Sequence, residues 1–248
     1  MTKITLLQWN CWVLEKKENI LALLKEVDAD IVCLQELTIG SPLQGGVSMP
    51  EYLATACGYN QFHKEIPNLA PRDGVASLAN GIFSRYPISK TSWQWINEPK
   101  YGGQTFDDEF RVYAEAEIDL GSHRITVGTA HVSYTHEFAD TVAREAEAAT
   151  LLDVIQTKSS RYILTGDLNS LPGSYLISNL EKNLQNLGPD YTEGTWTTKP
   201  CDYDGFKADT LDWRIDYAFG TRDIRVVQAE IVKTGFSDHL PILVTIEI

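Results

Sequence analysis

The chain has 248 residues, 43% of them hydrophobic, with 34 acidic against 21 basic side chains and a formal net charge of −13. No segment approaches the roughly 20 apolar residues of a bilayer-spanning helix, and no basic stripe suited to gripping nucleic acid stands out from the acidic excess. Cys11, Cys33, Cys57 and Cys201 include no closely spaced pair, which argues against a structural zinc site and for reduced thiols in a packed interior.

Met1-Thr2-Lys3 leads straight into apolar residues, without the basic and long apolar regions of a signal peptide. A cytoplasmic monomer with no stable membrane association is expected. Ile4 to Trp9 reads as a buried strand. Ile20, Leu23, Leu24 and Val27 then fall at i, i+3, i+4 and i+7, the spacing of an amphipathic helix, and Ile31 to Leu34 is the next strand. Residues 38–51 are rich in Gly, Ser and Pro and read as a loop. Gly81 to Tyr86, Arg111 to Ile118 and Arg124 to His131 read as strands, the last two joined as a hairpin across Leu120-Gly121-Ser122. Phe138 to Ile155 reads as a long helix and Tyr162 to Thr165 as a strand. Leu171 to Asn183 holds a short helix starting near Pro172. Trp213 to Phe219, Ile224 to Lys233 and Pro241 to Ile248 close the chain as strands. Neither an internal repeat nor a low-complexity linker interrupts the sequence, so one domain over 1–248 is expected.

Asn10, Glu36, His131 and Asp167 each lie just past the C-terminal end of an apolar run. Ligands of open α/β sheets collect at that edge, where a strand fixes the backbone and a loop frees the side chain. The hairpins, with only two long helices, do not supply the eight βα units of a barrel. Two further segments carry chemistry: Thr165-Gly166-Asp167-Leu168-Asn169-Ser170 and Gly235-Phe236-Ser237-Asp238-His239. Hard carboxylate oxygens suit Mg²⁺, an imidazole handles protons near neutral pH, and a carboxamide donates hydrogen bonds to phosphoryl oxygens. The plain alternative is that Asp167 and Asn169 close a turn while Ser237 and Asp238 cap a strand, since these residue types favour such places.

The order Asn10, Gln35-Glu36, His131, Gly166-Asp167-x-Asn169, Arg214-Ile215-Asp216-Tyr217, Ser237-Asp238-His239 spans almost the whole chain. It resembles the endonuclease/exonuclease/phosphatase superfamily, which includes DNase I, abasic-site endonucleases, neutral sphingomyelinases and inositol phosphatases. The resemblance implies a DNase I-like four-layer α/β sandwich, two packed mixed sheets flanked by helices. It implies Mg²⁺ as cofactor, with Mn²⁺ as a substitute, held by Glu36 with Asn10 through its carbonyl oxygen and Asp238. The competing reading of Glu36 is a salt bridge to Lys or Arg. By the same resemblance His239 is the catalytic imidazole, Asp216 the acid that orients it, Asp167 the group that holds or deprotonates water, and Asn169 a donor to the phosphoryl group. Which of Asp167 and His239 is the general base stays open.

A His at position 131 resembles the DNase I, sphingomyelinase and tyrosyl-DNA phosphodiesterase branches, with Glu65 as a candidate acidic partner. Asn80, Arg111, Tyr134, His136 and Arg144 line the pocket or belong to the scaffold. Loops 38–51, 66–79, 93–108 and 190–210 set the substrate and carry Trp93, Trp95, Tyr101, Phe106, Tyr191, Trp196, Tyr203 and Phe206. The expected activity is hydrolysis of a nucleic-acid phosphodiester. The alternatives are a small or lipid phosphoester, favoured by the acidic surface, and a non-catalytic binding module.

Overall fold

A computed structural model describes residues 2–67, 75, 77–98, 109–203 and 205–248. In chain order the elements are β1 (Lys3–Asn10), α1 (Lys17–Val27), β2 (Ile31–Ile39), α2 (Met49–Cys57), β3 (Asn60–Pro67), β4 (Ser77–Ser84), β5 (Ile88–Asn97) and β6 (Arg111–Asp119). They continue with β7 (Arg124–His131), α3 (Val142–Ile155), β8 (Tyr162–Asp167), α4 (Tyr175–Asn183), β9 (Gln185–Asn186), β10 (Cys201–Tyr203), β11 (Phe206–Ala208), β12 (Asp216–Gly220), β13 (Arg225–Ile231) and β14 (Ile242–Glu247).

Two mixed six-stranded sheets result, ordered β13-β14-β1-β2-β4-β3 and β5-β6-β7-β8-β12-β9. Each contains one parallel pair, β1 with β2 and β7 with β8, because α1 and α3 carry the chain back to its starting edge. Side chains alternate across each strand. Ile4, Leu6, Ile31 and Cys33 of the first sheet therefore meet Ala116, Val127, Ile163 and Ala218 of the second in a central core. The opposite faces bury Trp9, Val32 and Leu34 under α1 and α2, and Tyr162, Leu164 and Phe219 under α3 and α4. This is the four-layer sandwich that the resemblance implied.

Near the site-bearing edge the apolar core gives way to a polar layer. The amides of Gln8 and Gln35, both fully buried, exchange hydrogen bonds of 2.6 and 3.0 Å, and Gln35 Nε2 reaches Thr129 Oγ1 of the opposite sheet at 2.8 Å. Buried amides that satisfy one another avoid the desolvation penalty of orphaned polar groups and join the two sheets in one register.

Several expected boundaries move, each for a local reason. The long helix starts at Val142 and not at Phe138, because Glu137 and Phe138 have positive φ and the Thr141 hydroxyl caps the Arg144 N–H. Gly173, at φ +85°, delays α4 to Tyr175. The segment read as a loop over 38–51 contains the start of α2. β3 and β5 were not anticipated: β5 is exposed along most of its length, and of its residues only Ile96 is buried. Trp93 and Trp95 lie on β5, whereas Tyr101 and Phe106 fall outside the described residues. Among the described residues no helix is long and apolar enough to cross a membrane.

Gly166, where β8 reaches the site, passes so close to β7 that an added Cβ would sit 2.0 Å from the Ala130 carbonyl oxygen. Gly166→Ala is expected to lower the unfolding free energy by about 3 kcal/mol or more, the severe end for single substitutions. Urea denaturation measures this, and a loss under about 1 kcal/mol would show that the strand pair can part to admit a methyl group.

Candidate functional site

The two parallel pairs end side by side. β1 and β2 deliver Asn10 and Glu36 from one sheet, and β7 and β8 deliver His131 and Asp167 as register partners from the other. Asp216 begins β12 directly opposite Asp167. Asp238 and His239 come from the β13–β14 connection, anchored where Trp9 Nε1 donates to the His239 carbonyl at 3.0 Å.

Strict alternation would send Glu36 to the helix side with Leu34. A bulge between Leu34 and Leu37 and a left-handed backbone at Glu36 (φ +60°) turn it instead towards the site. There Glu36 accepts from Asn10 Nδ2 at 3.0 Å and from the Val13 N–H at 2.8 Å, and the same Asn10 amide donates to Asp167 Oδ2 at 3.0 Å. Asn10 thus presents its nitrogen to both carboxylates, while its oxygen accepts from the Trp12 N–H at 3.0 Å. The donor end of the amide faces the two carboxylates.

His239 is buried with Nδ1 2.8 Å from Asp216 Oδ2 and Nε2 3.7 Å from Asp167 Oδ2 and 3.9 Å from Asp238 Oδ1. Burial opposes a charge on this ring, but Asp216, Asp238 and Asp167 outweigh it and hold its pKa well above the ordinary histidine value. Burial pushes Asp167 up to about 7 against the pull of the His239 charge, and burial followed by the Asp238 charge raises Glu36. An imidazole held at Nδ1 by a carboxylate has a fixed tautomer and a free Nε2, the arrangement that lets a His exchange protons with a bound molecule.

On the other side of Asp167, His131 Nε2 lies 3.5 Å from Asp167 Oδ2 and 3.3 Å from Asn169 Nδ2. Burial, then the charges of Arg111, His239 and Arg144, keep His131 well below the usual histidine range, so it is neutral beside the charged His239. The Asn169 N–H donates to Asp167 Oδ1 at 3.0 Å and its Nδ2 to the Val132 carbonyl at 2.9 Å. Glu65 is not the partner of His131. It is exposed on β3 with no hydrogen bond or ion pair to His131, and Asp167 is the acid at hand. Asn80 and Arg111 are buried near this end, Asn80 Nδ2 tying the sheets through the Val112 carbonyl and Arg111 pairing with Glu109 at 2.5 Å.

Glu36, Asp167, Asp216 and Asp238 gather here, and among the described residues none of them forms an ion pair with Lys or Arg. One Asp216 oxygen is buried without a hydrogen-bond partner. Asp167 and Asp216 are buried, Glu36 and Asp238 half-buried, and one imidazolium faces all four carboxylates, so the donor set fits a hard divalent cation, and the salt bridge that competed with this reading of Glu36 is absent among the described residues. Donors of Asp167, Asp216 and His239 lie within 4.8 Å of one another, but the 2.8 Å contact engages His239 Nδ1 with Asp216. Glu36 and Asp238 stand outside that contact, close enough for the Asp238 charge to raise the Glu36 pKa after burial.

Three further residues shape the site: Trp196, named above as a loop aromatic, Ser237 of the Ser237-Asp238-His239 motif, and Glu15, which was not foreseen. Trp196 Nε1 donates to Asp238 Oδ2 at 3.1 Å, and its ring packs with Phe138, Phe206 and Trp213 in an aromatic wall. Ser237 (φ +61°) donates to the Asn10 carbonyl at 2.8 Å and accepts from the His239 N–H at 3.1 Å. Glu15 Oε2 accepts the Ser237 N–H at 2.9 Å, tying the β1–α1 loop to the same turn. Glu15 carries no sequence signal, because its partner is more than 200 residues away.

The Endonuclease/Exonuclease/phosphatase family model matches residues 7–239. The chain belongs to the endonuclease/exonuclease/phosphatase family. Membership in this family of phosphoesterases makes a hydrolase of phosphate esters the coarse functional class. No curated protein's sequence matches the chain. Among solved structures it is similar to an endonuclease/exonuclease/phosphatase from Beutenbergia cavernae (TM-score 0.77, 21% identity, 100% of this chain and 72% of that one). It is also similar to D. rerio TDP2 complexed with single-strand DNA product (0.71, 17%, 100% of both chains). A third similar structure is a Bacteroides thetaiotaomicron mannosyl-6-phosphatase (0.69, 15%, 99% and 100%).

The charge arrangement sets a pH dependence in the metal-free protein. Folded His239 keeps its proton above the ordinary 6.5, and folded Asp167 keeps one up to about 7 against 3.8. Their stabilisation is fully present below those ordinary values and is lost as pH rises through the folded ones. His131 has the opposite sign but completes its change below the ordinary histidine value. With chelator present, the unfolding free energy is expected to fall as pH rises through about 7, the folded Asp167 value, and on through the raised His239 value. Urea melts across that window measure it, and a flat or rising profile would contradict the arrangement.

Proposed function

We propose that this family member is a Mg²⁺-dependent phosphoesterase that hydrolyses a nucleic-acid phosphodiester by attack of water. One observation carries the reading: His239, held by Asp216 at 2.8 Å, faces Asp167, with His131 and Asn169 clustered on that aspartate's other side. Asp216 fixes the His239 tautomer and stabilises its positive charge, leaving Nε2 to meet a phosphoryl oxygen. Asp167, poised near neutrality, holds the attacking water and takes its proton, within a network where that proton is shared with His239. Asn169 and neutral His131 donate hydrogen bonds to the phosphoryl oxygens as the phosphorus becomes five-coordinate. Glu36 and Asp238 would hold Mg²⁺, with Mn²⁺ as a substitute, and Asn10 would stand against both Glu36 and Asp167. The ion would supply Lewis-acid polarisation and charge compensation.

The rings of Trp196, Phe206, Trp213 and Phe138 pack on one another and stiffen this side of the site, and Tyr203, 38% exposed and in edge contact with Tyr134, is the ring beside them that a flat base could reach. TDP2 with its single-strand DNA product shares the fold. The −13 charge favours a second reading, a small phosphoester engaged through few phosphates. Four free cysteines support a reducing compartment such as the cytoplasm. We read residues 1–248 as one domain acting as a monomer.

A metal-supplemented panel of plasmid, single-stranded DNA, RNA, 5′-tyrosyl DNA, sphingomyelin, inositol phosphates and a sugar phosphate tests the substrate. Metal-dependent cutting of DNA or RNA, weak in affinity and steeply reduced by salt, is expected. Turnover confined to a lipid or small phosphate would move the substrate and keep the site, and no turnover anywhere would favour a binding module. On the substrate found, His239→Ala and Asp167→Asn should each lower kcat by about 10²- to 10⁴-fold. The double variant should be little worse than either single one. Folded variants with wild-type rates would refute these roles.

A further inference from the structure

Arg144 lies outside the reacting set yet grips both loops that deliver it. It projects from the first turn of α3 with its side chain only 3% exposed. Nη1 donates to the Ser133 carbonyl. Nη2 lies 2.6 Å from the Leu168 carbonyl, 2.8 Å from the Asn169 carbonyl and 2.8 Å from Ser170 Oγ. Ser133 follows His131 out of β7, and Leu168 to Ser170 follow Asp167 out of β8. The carbonyls before and after the Asn169 Cα atom thus converge on one nitrogen, which fits its left-handed backbone (φ +43°). That conformation costs about 1–3 kcal/mol in a residue other than Gly. The same turn aims Asn169 Nδ2 at the Val132 carbonyl and the His131 ring. Buried Glu147 completes the clamp, accepting the Ser133 N–H at 3.0 Å with its other oxygen 3.9 Å from Arg144.

We propose that Arg144 is a positioning residue: its guanidinium locks the loops after β7 and β8 together, fixing the distance between His131 and Asn169. A planar fork reaches two loops at once, whereas a lysine ammonium is a single point and cannot span them. The proposal rests on the phosphoesterase reading only for its kinetic consequence, because the clamp itself is geometric.

The test uses the full chain, bis(p-nitrophenyl) phosphate as a generic phosphodiester, and Mn²⁺. Arg144→Ala is expected to lower kcat by about 10- to 100-fold, the scale for misplaced reacting groups. KM should change less. The Mn²⁺ dissociation constant should stay within about twofold, as for an independent site. Millimolar guanidinium should restore part of the rate, and KCl of equal ionic strength should not. Arg144→Lys keeps the charge and carries the test if the alanine variant does not fold: its kcat should fall without guanidinium rescue. In either variant the Asn169 side-chain amide NMR signals should shift while those of Asn10 stay in place. Wild-type kcat in folded variants, loss of Mn²⁺ binding in step with rate, or unmoved Asn169 signals would each overturn the proposal. If the wild-type protein hydrolyses no phosphoester, the functional reading fails, and the NMR comparison alone decides the clamp.

Discussion

Four carboxylates meet at one edge of the sandwich with a single charged imidazole and, among the described residues, no ion pair to Lys or Arg. Such crowding of like charge is unstable in an ordinary packed interior. The surrounding structure limits the cost with neutral donors: the Asn10 amide between Glu36 and Asp167, the Val13 N–H on Glu36, the Asn169 N–H on Asp167 and the Trp196 indole on Asp238. The carboxylate charge raises the His239 pKa against burial, while burial first, then neighbouring carboxylate charge, raises those of Asp167 and Glu36. Perturbation of this kind, from burial plus specific partners, is a mark of sites shaped for chemistry.

The fold makes that crowding possible. Each sheet holds one parallel pair, and the two pairs end at the same edge, so residues 10, 36, 131 and 167 converge although they are far apart in sequence. The Gln8–Gln35–Thr129 layer then fixes how the two sheets meet beneath them. A site assembled across two sheets depends on their relative register, and buried amides specify register more sharply than interchangeable methyl groups do. The aromatic wall closes one side, built from the β10–β11 hairpin and the segments carrying Trp196 and Trp213.

Much of this was legible in the sequence where residue type and position agree. Apolar runs ending in Asn10, Glu36, His131 and Asp167 located the edge, and the Ser237-Asp238-His239 and Asp167-x-Asn169 motifs located the chemistry. The structure brings all of these residues together. Features set by geometry across long separations were not legible. The bulge that turns Glu36 inward has no signature in Val32 to Leu37, since alternation alone would point Glu36 outward. Glu15 looks like an ordinary loop residue until the chain closes on Ser237, and nothing in the 190–210 loop assigns Trp196 to Asp238. Glu65 was a candidate partner of His131 from its place before the Gly81–Tyr86 strand, and register puts it at an exposed sheet edge. β5 escaped because its alternation is confined to Trp93-Gln94-Trp95, at the start of the segment read as loop 93–108, and most of the strand is exposed.

We propose that the carboxylate cluster is balanced by a divalent cation seated beside Glu36. Anomalous diffraction from a crystal soaked in Mn²⁺ tests this directly, because manganese marks its own position. The account predicts a peak within coordinating distance of Glu36, on the Asp238 side, with the His239–Asp216 contact retained. A peak among Asp167, Asp216 and His239 that breaks their hydrogen bond, or none at the cluster at saturating Mn²⁺, would contradict it.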